Sequence, residues 1–246
     1  MIRLHDLHKS FGAVATLRGL TLQARDGEVT GLLGANGSGK TTTFRTLAGL
    51  LRPDQGDVHI DNISAAEDPV AVRRALGVLP HVHAHYERLT TRENIAFYGE
   101  LHGVPAATIR ERMEQWFEIL DMHALADRRT KGFSEGQRVK VALCRALIHE
   151  PANVVLDEPT AGLDVRSNRA VRALIHRLRD QGRCVLLSGH SMGEMASLCD
   201  RIAIIADGTV VAEGSVRELC DAAGTADLEE AFLLLTATEQ EEGLRD

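Results

Sequence analysis

The run Gly34-Ala35-Asn36-Gly37-Ser38-Gly39-Lys40-Thr41 sets glycines, a lysine and a hydroxyl in an order suited to holding phosphate. Glycines let successive backbone N–H groups converge on phosphate oxygens, and a helix opening behind them aims its N-terminal dipole at the same charge. Lys40 can reach the outer phosphates of a nucleoside triphosphate, and the Thr41 hydroxyl can ligate Mg²⁺. Gly34, Asn36, Gly37, Ser38, Gly39, Lys40, Thr41 and Thr42 are therefore the candidate nucleotide-contacting residues. The flanks agree with this reading. Val29–Leu33 is a short apolar strand, and the stretch from Lys40 to Leu50 has helical character. These residues predict nucleotide binding, without fixing the class of NTPase.

A second group with chemical potential is Asp157-Glu158-Pro159, at the end of the apolar run Val154–Leu156. A strand-terminal Asp157 is placed to hold Mg²⁺ through water. Glu158, facing the other way, could orient or deprotonate a water next to a γ-phosphate. Taken alone, the tripeptide is only a turn ending a strand. Beside Lys40 it becomes the second part of one machine. The run His81-Val82-His83-Ala84-His85 invites another reading, because alternate residues of an extended segment share a face and three imidazoles could converge on a metal. No cluster of cysteines or carboxylates accompanies it. Cys144, Cys184, Cys199 and Cys220 form no CxxC pair and read as small buried apolar residues.

The elements that must carry these groups follow from patterning. Strand-like runs at Ile2–Leu7, Thr21–Ala24, Val29–Leu33, Val58–Asp61 and Gly77–Leu79 are separated by Gly- and Asp-containing turns. From about His81 to Glu150 the spacing turns helical. Ile109, Met113, Trp116, Phe117 and Leu120 form one apolar stripe, and Val139, Ala142, Leu143, Ala146 and Leu147 form another. Strands return at Val154–Leu156, Cys184–Leu187 and Ile202–Ala206, with a helix from Ser167 to Arg179 between the first two. Asp207-Gly208 predicts a hairpin into Thr209–Ala212. The result is an α/β core interrupted by an inserted helical subdomain. A short helix, Asp227–Leu235, and a disordered acidic tail are expected to close the chain.

Composition limits the setting. With 44% hydrophobic and 26% charged residues among 246, the chain reads as an ordinary globular protein. A net charge of −7 without a basic block argues against a nucleic-acid partner. No apolar run approaches the roughly 18 residues that span a bilayer. The start lacks the layout of a secretory signal, so a cytoplasmic location is expected.

With these residues on the page, the chain closely resembles the ATP-binding-cassette (ABC) ATPase family over nearly its whole length. Phe133-Ser134-Glu135-Gly136-Gln137 resembles the family signature, Leu156-Asp157-Glu158-Pro159-Thr160 its second nucleotide motif, and Ala161-Gly162-Leu163-Asp164 its dimer-contacting loop. His190 falls at the switch histidine, and Phe11 at the aromatic that stacks on adenine. Alone, Ser134 reads as a helix N-cap, His190 as a surface residue and Phe11 as core. Their shared order and spacing carry the resemblance.

The resemblance implies a phosphate-loop NTPase core, a mainly parallel sheet plus an N-terminal antiparallel β subdomain, with an inserted α-helical subdomain. The expected limits are residues 1–80 and 152–220 for the ATP-binding core, 81–151 for the helical signature subdomain, and 221–246 for a C-terminal helix and acidic tail. It implies ATP and Mg²⁺ as ligands, with Lys40, Glu158 and His190 catalytic. Phe11, Ser134, Gly136 and Gln137 would join the phosphate loop in contacting nucleotide, and Thr41, Asp157 and His81 would sit at the metal. His81 departs from the family, which has Gln there, and Glu135 replaces the second signature residue, usually Gly. The signature of one copy would complete the phosphate loop of another, giving a head-to-tail ATP-sandwich dimer with Asp164 facing the partner.

Tyr86-Glu87-Arg88-Leu89-Thr90-Thr91-Arg92-Glu93-Asn94, the signature segment, His149-Glu150-Pro151 and Asp227-Leu228-Glu229-Glu230-Ala231-Phe232 are similar to ABC-2 type exporters and sodium-extrusion (NatA-type) subunits. That branch implies an integral membrane permease as partner and a place on the cytoplasmic face of the cell membrane. An import-system ATPase and a soluble ATPase of the cluster-assembly type are the alternatives. The transported substrate and the choice between homodimer and heterodimer are not legible.

Overall fold

The computed structural model describes residues 1–242. From the N-terminus, β1 (Ile2–Phe11), β2 (Val14–Ala24) and β3 (Val29–Leu33) lead into α1 (Lys40–Leu47). Next come β4 (Gln55–Ile60), β5 (Ile63–Ser64), α2 (Pro69–Ala75) and β6 (Leu76–Leu79). Three helices follow: α3 (Thr91–Leu101), α4 (Ala106–Leu120) and α5 (Glu135–Leu147). The chain then alternates through β7 (Asn153–Leu156), α6 (Val165–Asp180), β8 (Cys184–Gly189), α7 (Met192–Leu198), β9 (Arg201–Ala206) and β10 (Thr209–Gly214). It closes with α8 (Val216–Ala223) and α9 (Leu228–Glu242).

The strands form two sheets. The central one has the order β10-β9-β3-β8-β7-β6, parallel except for the edge hairpin of β9 and β10. The other has the antiparallel order β2-β1-β4-β5. Alternation along each central strand divides the apolar residues between two cores. Leu33, Leu79, Val154, Leu156, Val185 and Leu187 pack with Trp116 and Phe117 of α4, Leu143 of α5 and Leu174 of α6. Leu32, Val155, Leu186 and Ile205 pack instead with the antiparallel sheet and with Phe44 and Leu47 of α1. A sheet covered on both faces needs apolar side chains at every position, which is why its strands read as continuous runs.

Several helix starts are set by side-chain caps, although α1, α4 and α7 have none. Thr90 and Glu93 form a reciprocal capping box at α3, and Ser134 with Gln137 does the same at α5. Gly208 (φ 82°) and Asp207 (φ 45°) make the left-handed pair of the expected β9–β10 hairpin.

Several expectations need correction. The helical pattern starts not at His81 but at Thr91, and residues 80–90 are irregular. β1 and β2 run longer than their apolar stretches, because mutual pairing extends them through the exposed hairpin to Phe11 and Val14. The tail expected to be disordered is helical as far as Glu242. Leu228, Ala231 and Phe232 bury one face of the start of α9, and residues 243–246 of that tail lie outside the described residues. Cys144, Cys184 and Cys220 are buried free thiols, and Cys199 is half-buried.

Candidate active site

The loop after β3 turns so tightly that side chains are excluded from its glycines. A Cβ on Gly34 would lie 2.6 Å from the Ile205 carbonyl oxygen and 2.5 Å from Ser38 Oγ. Gly39 has φ 113° and caps α1 in the left-handed region, where an L side chain is strained. The Lys40 ammonium turns back along the loop, donating to the carbonyls of Gly34 (2.7 Å) and Ala35 (2.9 Å). Burial holds it below the ordinary lysine range, opposed by the carboxylates of Glu158 and Asp157. Ser38 Oγ is buried without a partner among the described residues. A cradle that excludes Cβ atoms, leaves a buried hydroxyl unpaired and aims a desolvated ammonium at it suits a polyphosphate.

β7 ends at Asp157, whose backbone N–H donates to the Leu79 carbonyl at 2.9 Å. Asp157 is buried, and its Oδ1 accepts from the Ser188 hydroxyl at 2.6 Å. The same Ser188 oxygen accepts from the Glu158 N–H at 2.9 Å. Glu158 sits at φ 50°, a left-handed conformation costly for a side-chain-bearing residue, which swings its carboxylate away from that of Asp157. Two imidazoles flank the carboxylate. His190 Nδ1 lies 3.4 Å from Oε1, and His81 Nδ1 lies 3.7 Å from Oε2. Asn36, Thr41, His81, Glu158 and His190 line one open cavity of about 460 Å³. The oxygen donors Thr41 and Asp157 border an adjoining hollow with His81, and they fit Mg²⁺, which takes few protein ligands and keeps several waters.

The other expected site residues lie elsewhere on the chain. Phe11 stands half exposed at the β1–β2 hairpin with Lys9 Nζ 5.8 Å from its ring centre, and β2 reaches Gly39 through Leu17 and the Thr16 carbonyl. Thr42 lies in the first turn of α1. Ser134 is exposed at the tip of α5, and neither it, Gly136 nor Gln137 lines the Glu158 cavity. Asp164 caps α6 by accepting from the Ser167 N–H (2.9 Å) and hydroxyl (2.8 Å), which hold its carboxyl below the usual range. Gly136 packs against that cap, because a Cβ there would come within 2.7 Å of Ser167 Oγ.

The three imidazoles of the 81–85 run go to three places rather than one. His81 faces Glu158. His83 is buried, with Nε2 3.7 Å from Glu135, and desolvation lowers its pKa. His85 Nδ1 meets Arg145 Nη1 at 3.1 Å, and burial beside that cation pushes the imidazole down to about 4. Residues 80–86 are not a regular strand, so the alternation that would have gathered the rings is lost. Ser188 is the candidate site residue that sequence reading missed, through its bonds to Asp157 and Glu158. A hydroxyl one residue after the apolar run Cys184–Leu187, just before Gly189-His190, was its signal.

A second, larger cavity of about 530 Å³ opens between α2 with β6, the 80–86 segment, and α3 with α5. Arg74, Val82, Leu101, His102, Arg145 and His149 are among its walls. The rings of His102 and His149 stack in it, with centroids 3.7 Å apart and planes 6° apart. Burial and the neighbouring His102 push His149 down to about 4.

Comparison with known proteins places the chain in a family. The ABC transporter family model matches residues 17–161, more than half of the chain. The ABC transporter ATP-binding protein NatA of Bacillus subtilis is 37% identical over 238 residues, 95% of this chain and 97% of that protein. The daunorubicin/doxorubicin resistance ATP-binding protein DrrA of Streptomyces peucetius is 37% identical over 224 residues, 91% of this chain and 68% of that protein. Among solved structures, an ATP-binding subunit of an ABC transporter superposes with a TM-score of 0.90 at 28% identity, over 96% of this chain and 99% of the other. A dimeric post-hydrolysis state of an ATP-binding cassette bound to ADP and Pi superposes with a TM-score of 0.79 at 25% identity, over 88% and 99%.

Proposed function

This chain belongs to the ABC transporter family as an ATP-binding, ATP-hydrolysing subunit, and from that premise we propose that two copies close head to tail on two Mg·ATP to drive an ABC-2 type export permease. The observation that carries the reading is that Thr41, Glu158 and His190 line one cavity, with Lys40 facing the charges of Asp157 and Glu158, while Ser134 stays exposed and outside it. A second copy can supply the missing anion site, since the tip of α5 offers the Ser134 hydroxyl and backbone N–H groups at a helix N-terminus.

In this reading Lys40 leaves the loop carbonyls for the β- and γ-phosphates, and Phe11 stacks on the adenine. Thr41 and Asp157 would hold Mg²⁺, which would supply neutralisation of the phosphates' negative charge. Glu158 accepts the proton of the attacking water, and His190 holds that carboxylate in position. The expected cost of losing a general base is about 10²- to 10⁴-fold in rate. Residues 1–80 and 152–220 act as the nucleotide-binding body, and residues 81–151 as the helical body that moves against it.

Export is supported by what the relatives' names say of those proteins, among them drug resistance for DrrA and lipopolysaccharide export for LptB of Acidithiobacillus ferridurans. No helix among the described residues is long and apolar enough to cross a membrane. We therefore assign the membrane step to permease subunits whose cytoplasmic segments dock in the 530 Å³ groove, which holds the chain at the cytoplasmic face. Much of the exposed apolar surface gathers there: Leu50, Val70, Val82 and Leu101 are all exposed and line the groove. The test is Glu158→Gln with saturating Mg·ATP, followed by phosphate release and sedimentation beside the membrane subunit. Turnover should fall at least about 100-fold while a nucleotide-dependent dimer accumulates. Near-normal turnover, or a variant that stays monomeric, would refute the proposal.

A further inference from the structure

We propose that His81 is a positioning residue for Glu158, holding the carboxylate oxygen that His190 does not reach. The inference rests on the reading of Glu158 as general base and adds the group that fixes its plane. His81 Nδ1 lies 3.7 Å from Oε2 and His190 Nδ1 lies 3.4 Å from Oε1, one imidazole to each oxygen. Among the described residues no other side chain pairs with that carboxylate. The arrangement follows from the sheet. β6, β7 and β8 run parallel, with Leu79, Leu156 and Leu187 side by side in register. Two residues beyond Leu79 stands His81, two beyond Leu156 stands Glu158, and three beyond Leu187 stands His190. The carboxylate of the middle strand therefore emerges between imidazoles from its two neighbours.

One donor cannot fix a carboxylate. The last torsion of a glutamate side chain is broad and roughly two-fold, so a group held at one oxygen still turns about that bond. A donor on each oxygen, from two separate strand ends, removes the rotation and sets the plane in which the lone pairs face a water. Glu158 depends on such a grip, because Ser188 anchors its backbone N–H but not its side chain. At 3.4 and 3.7 Å both contacts are longer than a finished hydrogen bond, as catalytic contacts often are before substrate closes the site. His81 is itself anchored. Pro80 restricts the backbone before it, and Arg145 donates to the Ala84 carbonyl three residues on. Thr41 and Asp157 border the hollow beside His81, so metal ligation is the competing role. The two roles part in what they change. A residue that orients the base alters kcat, whereas a metal ligand alters the Mg²⁺ requirement.

The experiment is single-turnover and steady-state ATP hydrolysis by the full chain, with Kd for a fluorescent nucleotide measured beside it. His81→Ala should lower kcat about tenfold or more, the usual loss when an orienting partner is removed. KM for ATP, the half-saturating Mg²⁺ concentration and the nucleotide Kd should each stay within about twofold. The side chain is 57% exposed, so Tm should hold within about 2 °C. Asparagine sets an amide N–H where Nδ1 stands, and His81→Asn should recover most of the rate. His81→Gln, whose amide reaches one bond further, should recover less. In a Glu158→Ala background, where no carboxylate is left to hold, adding His81→Ala should change the residual single-turnover rate by less than about twofold. An unchanged kcat in His81→Ala would overturn the proposal, as would an equal loss in both backgrounds. A rise of about tenfold in half-saturating Mg²⁺, with kcat restored at high Mg²⁺, would make His81 a metal ligand and overturn it too. Near-normal turnover by Glu158→Ala sinks the general-base reading itself. A slow Glu158→Ala beside a His81→Ala at the parental rate sinks the positioning role alone.

Discussion

Replacing Ser188 by alanine tests whether the two acidic groups at the end of β7 depend on one hydroxyl. Ser188 is 1% exposed, and its oxygen donates to Asp157 Oδ1 and accepts from the Glu158 N–H. A hydrogen bond to an ionised group contributes about 1.5–3 kcal/mol, and a buried N–H left unpaired costs about 1–3 kcal/mol. Ser188→Ala removes both, so the fold should lose about 3–5 kcal/mol. For a chain of this size that corresponds to a fall in Tm of about 6–20 °C. Activity should suffer separately. Glu158 is held at φ 50°, a conformation that costs about 1–2 kcal/mol and persists only while its surroundings enforce it. With the Ser188 anchor gone its carboxylate can relax out of the place proposed for it beside the attacking water, and Asp157 loses the bond that would orient it toward the proposed Mg²⁺. Loss of such an orienting partner typically costs about 10- to 100-fold in activity or metal affinity.

The assay is phosphate release at saturating ATP across a Mg²⁺ titration, with thermal unfolding measured alongside. Ser188→Thr keeps the hydroxyl and should recover most of the rate. That recovery separates positioning from mere loss of packing volume. A Ser188→Ala protein with a rate within about twofold of the parent and a Tm within about 2 °C would refute the reasoning.

Lys40→Ala should raise the Kd for ATP by about 10- to 100-fold, the worth of a charge-assisted contact, as read by displacement of a fluorescent nucleotide. Gly136→Ala places a Cβ 2.7 Å from Ser167 Oγ at a buried helix start, so overpacking should cost about 1–3 kcal/mol, visible as a lower denaturation midpoint. The depressed imidazoles set a pH dependence. His85 and His149 are pushed down to about 4 in the folded chain against an ordinary value of 6.5, so below pH 6.5 the unfolded chain takes up protons that the folded chain refuses. Stability is therefore complete above pH 6.5 and drains away as pH falls toward 4. With both rings partly solvated, each contributes roughly 1–2 kcal/mol of that loss after screening. His85→Gln and His149→Gln should each flatten the slope of Tm against pH in this window.

The nucleotide-binding part of the site was legible because its chemistry is local. A strand, a glycine loop and a helix start are fixed by residues next to one another, and β3 and α1 begin where Val29 and Lys40 announce them. The strand runs were legible because a sheet covered on both faces requires unbroken apolar segments. What escaped was set by pairing and packing. Residues Val14–Leu20 alternate with charged and polar neighbours and become a strand only by lying against β1. α2, α7 and α8, of seven or eight residues, are too short for two apolar repeats to stand out. Where α9 ends was hidden by its acidic composition.

The site itself separates into two kinds of residue for the same reason. Lys40, Asp157 and Glu158 are brought together within one chain by β3 and β7, two strands on either side of β8 in the central sheet, so their proximity follows from topology. Ser188 belongs to that intervening strand, and its bond to Asp157 is a cross-strand contact that no linear motif encodes. Ser134 and Gln137 satisfy each other in a capping box and lie outside the Glu158 cavity. They cap each other within the fold, and the N–H groups of Glu135 and Gly136, the first of α5, are left with no acceptor inside the helix. Sequence order alone cannot say whether such an anion site is used. A partner that brings phosphate to it decides, which is why the dimer state of Glu158→Gln bears on the function more directly than any contact inside one copy.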